Sequence, residues 1–178
     1  MTVIHTFDRT VADSDTFVEP LTHARAVWFA GGMPEYLLDS YAGTKVVAEL
    51  RKVLERGGVV GGISAGAAVL ASETVNGSLN AERQWVVRPA FGLLRGVVFQ
   101  PHAQPVPRMQ SWMTKRTDLL RITADNAAAW IVRGEVAEIV GDGSASVFER
   151  NATIADAPFE TLRARDRYDL AARRAVVP

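Results

Sequence analysis

Residues Gly57–Leu70 read GGVVGGISAGAAVL, and this stretch decides how the chain is understood. The apolar run Val59–Gly61 predicts a short strand, and the small residues of Ala65–Ser72 predict a helix. A sharp break at Ile63–Ser64–Ala65 joins the two. Such a turn lifts the Ser64 side chain out of the sheet edge and leaves the Ala65 N–H free beside it, which is the geometry of a nucleophile elbow. Gly62 and Gly66 flank Ser64 at the G-x-S-x-G positions, where a Cβ would collide with neighbouring backbone. The competing reading is a serine that only caps the helix N-terminus. In a chain with 14 glycines the motif is not specific by itself, so the surrounding sequence must supply partners.

Upstream, Thr44 reads as an N-cap, followed by Val46, Val47, Leu50, Val53 and Leu54 at helical spacing, with Gly57 as the C-terminal stop. Pro34 opens a helix through Tyr41. Residues 24–30, ARAVWFA, predict a buried strand ending at Gly31–Gly32, and a short helix follows Asp13–Phe17. Residues 2–7, TVIHTF, predict a first strand by their β-branched content. Downstream, Asn76–Gln84 reads as polar and irregular. Trp85–Arg88 and Val97–Gln100 read as strands, Pro101–Pro107 as a loop, and Arg108–Leu120 as a helix. Ala127–Val132 and Val136–Val140 predict a hairpin, followed by a strand over Ser144–Glu149. The arginines of the tail, Arg163, Arg165, Arg167, Arg173 and Arg174, read as a solvated face.

The alternation of strands and helices implies an α/β fold: a three-layer sandwich with a mostly parallel sheet, helices on both faces and a C-terminal antiparallel hairpin. Ligand sites in such sheets lie at the strand carboxyl ends, where Gly31–Gly32 and Ser64 are both expected. With 178 residues the chain fits one domain, 1–178. The balance of 20 basic against 20 acidic residues gives no pull toward nucleic acid or an anionic membrane. No apolar run is long enough to span a bilayer, and the N-terminus lacks a leader pattern, so the expected location is cytoplasmic. No cysteine is present, which excludes disulfides, zinc–thiolate sites and a thiol nucleophile. His5, His23 and His102 are too dispersed for a metal cluster, and no cofactor is expected.

A serine hydroxyl needs a base, most often histidine. His102 is the one that follows Ser64, directly after a strand, and so at the same sheet edge. An orienting acid is sought after His102, among Asp118, Asp125, Glu135, Glu138, Asp142 and Glu149. Asp125, in a loop at the mouth of an apolar strand, is the best placed of these.

The order Ser64, His102, Asp125 resembles the dipeptidase E and cyanophycinase family of serine peptidases, whose fold is like that of class I glutamine amidotransferases. AVWFAGG (Ala26–Gly32) is similar to that family's strand ending in a Gly-Gly turn. GGVVGGISAGAAVLAS (Gly57–Ser72) matches its G-x-SAGA block. FQPHAQPVPRM (Phe99–Met109) resembles its Asp-x-His-Phe block. ITADNAAAWIVRGEVAEIVGDGSASVFE (Ile122–Glu149) is similar to its Asp-Glu-x-Thr-Ala segment and the strands after it, and YDLAARR (Tyr168–Arg174) fits its terminal block. The resemblance implies Ser64 as nucleophile, His102 as general base and then acid, Asp125 as orienting acid, and the backbone N–H groups of Gly32 and Ala65 as oxyanion hole. It also implies substrate contacts from Gly31, Met33, Gln100, Gln104 and Arg108, and a small peptide-like substrate.

Against that pattern, Met33–Pro34 replaces the polar end of the Gly-Gly turn, Gln100 replaces the acid two before the histidine, and Asp125 shortens the orienting Glu. The chain also begins one strand–helix unit late relative to the family, which leads to the expectation of a homodimer covering the sheet. The function expected is hydrolysis of a peptide or related amide through an acyl-enzyme. The alternative is a catalytically idle member that binds a small ligand or partner in the same cleft. A glutaminase is disfavoured by the absence of cysteine, and a lipase-type esterase by residue order.

Overall fold

Four early helices pack around a two-stranded parallel sheet in the computed structural model, which describes residues 1–102, 118–148 and 160–176. α1 (Arg9–Ala12) is capped by Asp8, and α2 (Asp15–Thr22) by Ser14. β1 (Ala26–Phe29) leads to α3 (Pro34–Tyr41). α4 (Lys45–Glu55) starts where the Thr44 hydroxyl accepts from Val46 N at 3.3 Å. It ends in a Schellman motif: Gly58 N donates to Val53 O, Gly57 N donates to Leu54 O, and Gly57 takes φ 77°. Both ends therefore fall where side-chain chemistry places them. α4 turns Val46, Val47 and Leu50 inward to a core shared with Val18, Leu21, Leu38 and Tyr41, and buries Val53 as well.

β2 (Val59–Gly62) pairs with β1 in parallel, Phe29 opposite Gly62, and runs into α5 (Ala65–Ala68). α5 is one turn, shorter than the helix expected to reach Ser72. The chain is pulled back to the sheet there, because Ser72 N donates to Val97 O at 3.0 Å.

A second, six-stranded sheet has the order β10-β9-β6-β5-β3-β4, built from β3 (Glu73–Leu79), β4 (Trp85–Pro89), β5 (Val97–Pro101), β6 (Leu120–Ala124), β9 (Ala145–Phe148) and β10 (Glu160–Leu162). A third, antiparallel sheet has the order β12-β11-β8-β7, from β7 (Ala128–Arg133), β8 (Val136–Gly141), β11 (Arg167–Asp169) and β12 (Arg174–Ala175). The α/β class is as expected, but the sheet is not one mostly parallel layer. Among the described residues parallel pairing is confined to β1·β2, β3·β5 and β5·β6, and the expected hairpin β7–β8 is the centre of a larger antiparallel layer.

Other expectations are corrected locally. Residues 2–7 form no strand. Val3 and Phe7 are exposed, and the segment is held instead by Tyr41 Oη, which accepts from Thr6 N, and by edge-on packing of Phe7 on Tyr36. Much of Asn76–Gln84 is strand rather than irregular, since β3 extends to Leu79 through an irregular register opposite β4. Only the Asn80–Gln84 turn is left, closed by Asn80 Oδ1 accepting from Gln84 N. Of the helix expected over Arg108–Leu120, residues 108–117 lie outside the described residues, and Leu120 opens the fully buried β6. The tail contains β10 to β12, which bury Leu162, Tyr168 and Leu170 between exposed arginines.

Candidate active site

Three strand ends converge on Ser64. β2 breaks at Ile63, whose N–H still donates to Phe29 O, and Ser64 then takes φ 54°, ψ −121°. That is a conformation L-residues rarely hold and one found at functional sites. The glycines make the turn sterically possible. A Cβ on Gly62 would lie 2.5 Å from the Gly66 carbonyl carbon, and one on Gly66 would lie 2.4 Å from Phe29 O. The Ser64 hydroxyl makes no capping bond to α5, so the capping reading of the motif fails. The hydroxyl faces His102 instead, with Oγ 2.8 Å from Nε2.

His102 follows β5 and also has positive φ, 66°. The parallel register sets Pro101 opposite Ala124, so the residue after each strand emerges at the same edge. This brings His102 next to the Asp125–Asn126 turn. The side chain that meets the other ring nitrogen is Asn126: its Oδ1 is 2.5 Å from His102 Nδ1.

Asp125 does not make that contact. Its Oδ1 accepts from Ala127 N at 2.9 Å, and its Oδ2 accepts from Ser144 N at 2.6 Å and Ser144 Oγ at 3.2 Å. The Ser144 and Ala127 backbone donors hold the Asp125 carboxyl below its ordinary range. Its oxygens are occupied within the β6–β7 and β8–β9 turns. The sequence did carry a signal for Asn126. When Asp125–Asn126 is set on the Asp-Glu of the Asp-Glu-x-Thr-Ala segment, Asn126 and not Asp125 takes the Glu position.

Gly31 abuts Ser64, a Cβ there reaching 3.3 Å from Ser64 Cβ. Ala65 is the first residue of α5, so its N–H has no acceptor within the helix and adjoins Ser64. Gly32, Met33, Pro34, Ala65, Ala68, Thr74, Val75, Gly77, Gln100 and Pro101 line a small cleft that contains Ser64 and His102. Gln100 is buried and its amide donates to Pro101 O. Gln104 and Arg108 lie outside the described residues. Sequence reasoning missed Glu35, which fixes the cleft wall: its carboxylate accepts from Gly77 N at 2.8 Å and Ser78 Oγ at 2.7 Å. Burial raises this carboxyl, but the Gly77 and Ser78 donors outweigh it and the net shift is downward. Among the described residues no group of three or more His, Asp or Glu could hold a metal, and no helix is long and apolar enough to cross a membrane.

A serine on a strained strand-to-helix turn, in contact with a histidine at a neighbouring strand end, is the constellation of α/β serine peptidases. The sequence model of peptidase family S51 matches residues 1–140, and the chain belongs to that family, which includes dipeptidase E and cyanophycinase. The crystal structure of a peptidase from an acI-B1 Actinobacterium matches with a TM-score of 0.74 and 26% identity, over 91% of this chain and 66% of that one. The chain thus spans about two thirds of that protein's length. Among curated proteins no sequence matches.

Proposed function

We propose that the protein is a serine peptidase that cleaves a small peptide or related amide through an acyl-enzyme on Ser64. The observation that carries this reading is the 2.8 Å contact between Ser64 Oγ and His102 Nε2 at a strained elbow. As Oγ attacks the substrate carbonyl, its proton passes to Nε2. The developing oxyanion is met by backbone N–H groups of Ala65 and Gly32. His102 then gives the proton to the leaving nitrogen, and water, activated by the same base, releases the acyl group. Each oxyanion donor is worth about 100- to 1000-fold in rate. The cleft walls supply Met33, Ala68 and Val75 beside Gln100, which suits an uncharged acyl portion.

Reaction with a fluorophosphonate probe tests the reading. Labelling of the wild type and its loss in Ser64→Ala and His102→Ala are expected. A folded wild-type protein that never labels would sink it. One observation favours the alternative of ligand binding without turnover: an amide, Asn126, stands on His102 where the family places a carboxylate. That reading calls for thermal stabilisation by a dipeptide with no hydrolysis of it.

A further inference from the structure

We propose that Asn126 orients the catalytic base, so that the working triad is Ser64, His102 and Asn126, and that Asp125 serves to build the turn that presents Asn126. The proposal deepens the serine peptidase reading and rests on it.

The turn is over-determined by contacts that leave Asp125 no spare oxygen. Besides the three donors to its carboxylate, Asp125 N donates to Ser144 O at 3.0 Å, and Gly143 N donates to Ala127 O at 3.0 Å. A Cβ on Gly143 would lie 1.8 Å from Asp125 Oδ1, so the β8–β9 turn closes directly on that carboxylate. With the backbone held on both sides, the next side chain is the one that reaches the imidazole. An amide oxygen can only accept, so its contact with Nδ1 requires the proton to be on Nδ1. The Nε2 lone pair is then left facing the Ser64 hydroxyl, and that is the tautomer a general base needs. Turning the amide over would present its NH2 to Nδ1, force the proton onto Nε2 and block transfer from Ser64.

The proton balance closes without a carboxylate. Oγ–H breaks as Nε2–H forms, Nδ1–H stays on Asn126, and Nε2–H later breaks as the leaving nitrogen gains its proton. What Asn126 lacks is charge. It orients the imidazolium formed in the first step and opposes its charge only with a dipole.

The test compares Asn126→Leu, which keeps the shape and removes the acceptor, with Asn126→Asp, which keeps an acceptor and adds charge. Asn126 is exposed, so neither variant is expected to compromise folding. The rate constant for fluorophosphonate labelling should fall about 10- to 100-fold in Asn126→Leu, a part of the roughly 100- to 10,000-fold that a correctly positioned general base contributes. Asn126→Asp should match or exceed the wild type. The imidazole 15N spectrum, with His102 assigned by His102→Gln, should show Nδ1 protonated in the wild type and a tautomer mixture in Asn126→Leu. An unchanged labelling rate and spectrum in Asn126→Leu would overturn the proposal, as would an equal loss of rate in both variants. A wild type that never labels defeats the peptidase reading instead, and the 15N spectrum then still decides whether Asn126 sets the tautomer.

Discussion

Asp125 and Ser144 join two turns that are 19 residues apart: Ser144 N donates to Asp125 Oδ2 at 2.6 Å, and Asp125 N donates to Ser144 O at 3.0 Å. The reciprocal pair locks the end of β6 to the start of β9 and sets the position of Asn126 beside His102. Because these donors favour the ionised form, the folded-state pKa of Asp125 is depressed. The stabilisation is therefore fully present above the unfolded carboxyl value of about 3.9 and is lost as pH falls through the lower folded value. The Tm gap between the wild type and Asp125→Asn should be constant from neutral pH down to about pH 4–5 and should close in more acid solution. A gap that widened on acidification would contradict the assignment.

Gly143 tests the same joint sterically. Ala at this position drives a methyl group into the Asp125 carboxylate, and one of the two turns must move. Where the Asp125 turn yields, Asn126 moves with it, and fluorophosphonate labelling of Gly143→Ala should slow about tenfold or more, a part of what a correctly positioned general base contributes, while circular dichroism stays native. Labelling at the wild-type rate would show that the turn tolerates the shift.

Ser64 stores strain that glycine would release. Its φ of 54° with ψ −121° costs about 1–3 kcal/mol for a residue with a Cβ, against roughly 0.5–1 kcal/mol of added chain entropy for glycine. Ser64→Gly should therefore unfold at higher urea than the wild type and be inert to the probe, whereas Ser64→Ala should be inert without that gain. Equal midpoints for the two variants would remove the claim of stored strain.

Glu35 fastens α3 to β3 across the cleft, and Met33 rests on Gly77, where a Cβ would lie 2.8 Å from the Met33 sulfur. Glu35→Ala removes the carboxylate that Gly77 N and Ser78 Oγ donate to and loosens this wall without touching Ser64 or His102. A net hydrogen bond is worth about 0.5–1.5 kcal/mol. KM for a peptide substrate should accordingly rise by up to about tenfold while kcat changes little, as read from steady-state kinetics. A fall in kcat at constant KM would assign Glu35 to the chemistry instead.

Gly66→Ala addresses the elbow itself. The methyl group would meet backbone, Phe29 O at 2.4 Å, rather than a side chain that can swing away. Overpacking of this kind costs about 1–3 kcal/mol, and a urea midpoint lowered to that extent should accompany loss of labelling. A variant that keeps both would mean that the β1–β2 pair separates freely.

Local chemistry made much of the molecule legible from sequence. Thr44 and Gly57 bound α4, Pro34 opens α3, and G-x-S-x-G forms the elbow, because each depends on hydrogen bonds and steric contacts within a few residues. His102 was legible as well, since a residue directly after a parallel strand must emerge at the sheet edge. β6 was not. Leu120–Ala124 reads LRITA, and its alternation of apolar and polar residues suggests one solvated face over a stretch too short to outweigh the helix expected up to Leu120; the structure buries both faces, Arg121 and Thr123 included. The strands of the tail were hidden by their length, two or three residues each, and by the arginines between them.

The sequence by itself determined that Ser64 and His102 meet, because the glycines around Ser64 make room for the elbow and the strand before His102 ends at the same sheet edge. The sequence pointed both ways between Asp125 and Asn126, and the tertiary structure decided, by bringing Asn126 Oδ1 and not the Asp125 carboxylate to His102 Nδ1. Asp125 and Asn126 are neighbours in the β6–β7 turn, so one step along the chain separates a carboxylate buttressing the turn from an amide on the imidazole. That placement is set by Ser144 and Gly143, in a turn that the chain brings back only after β7 and β8 are formed.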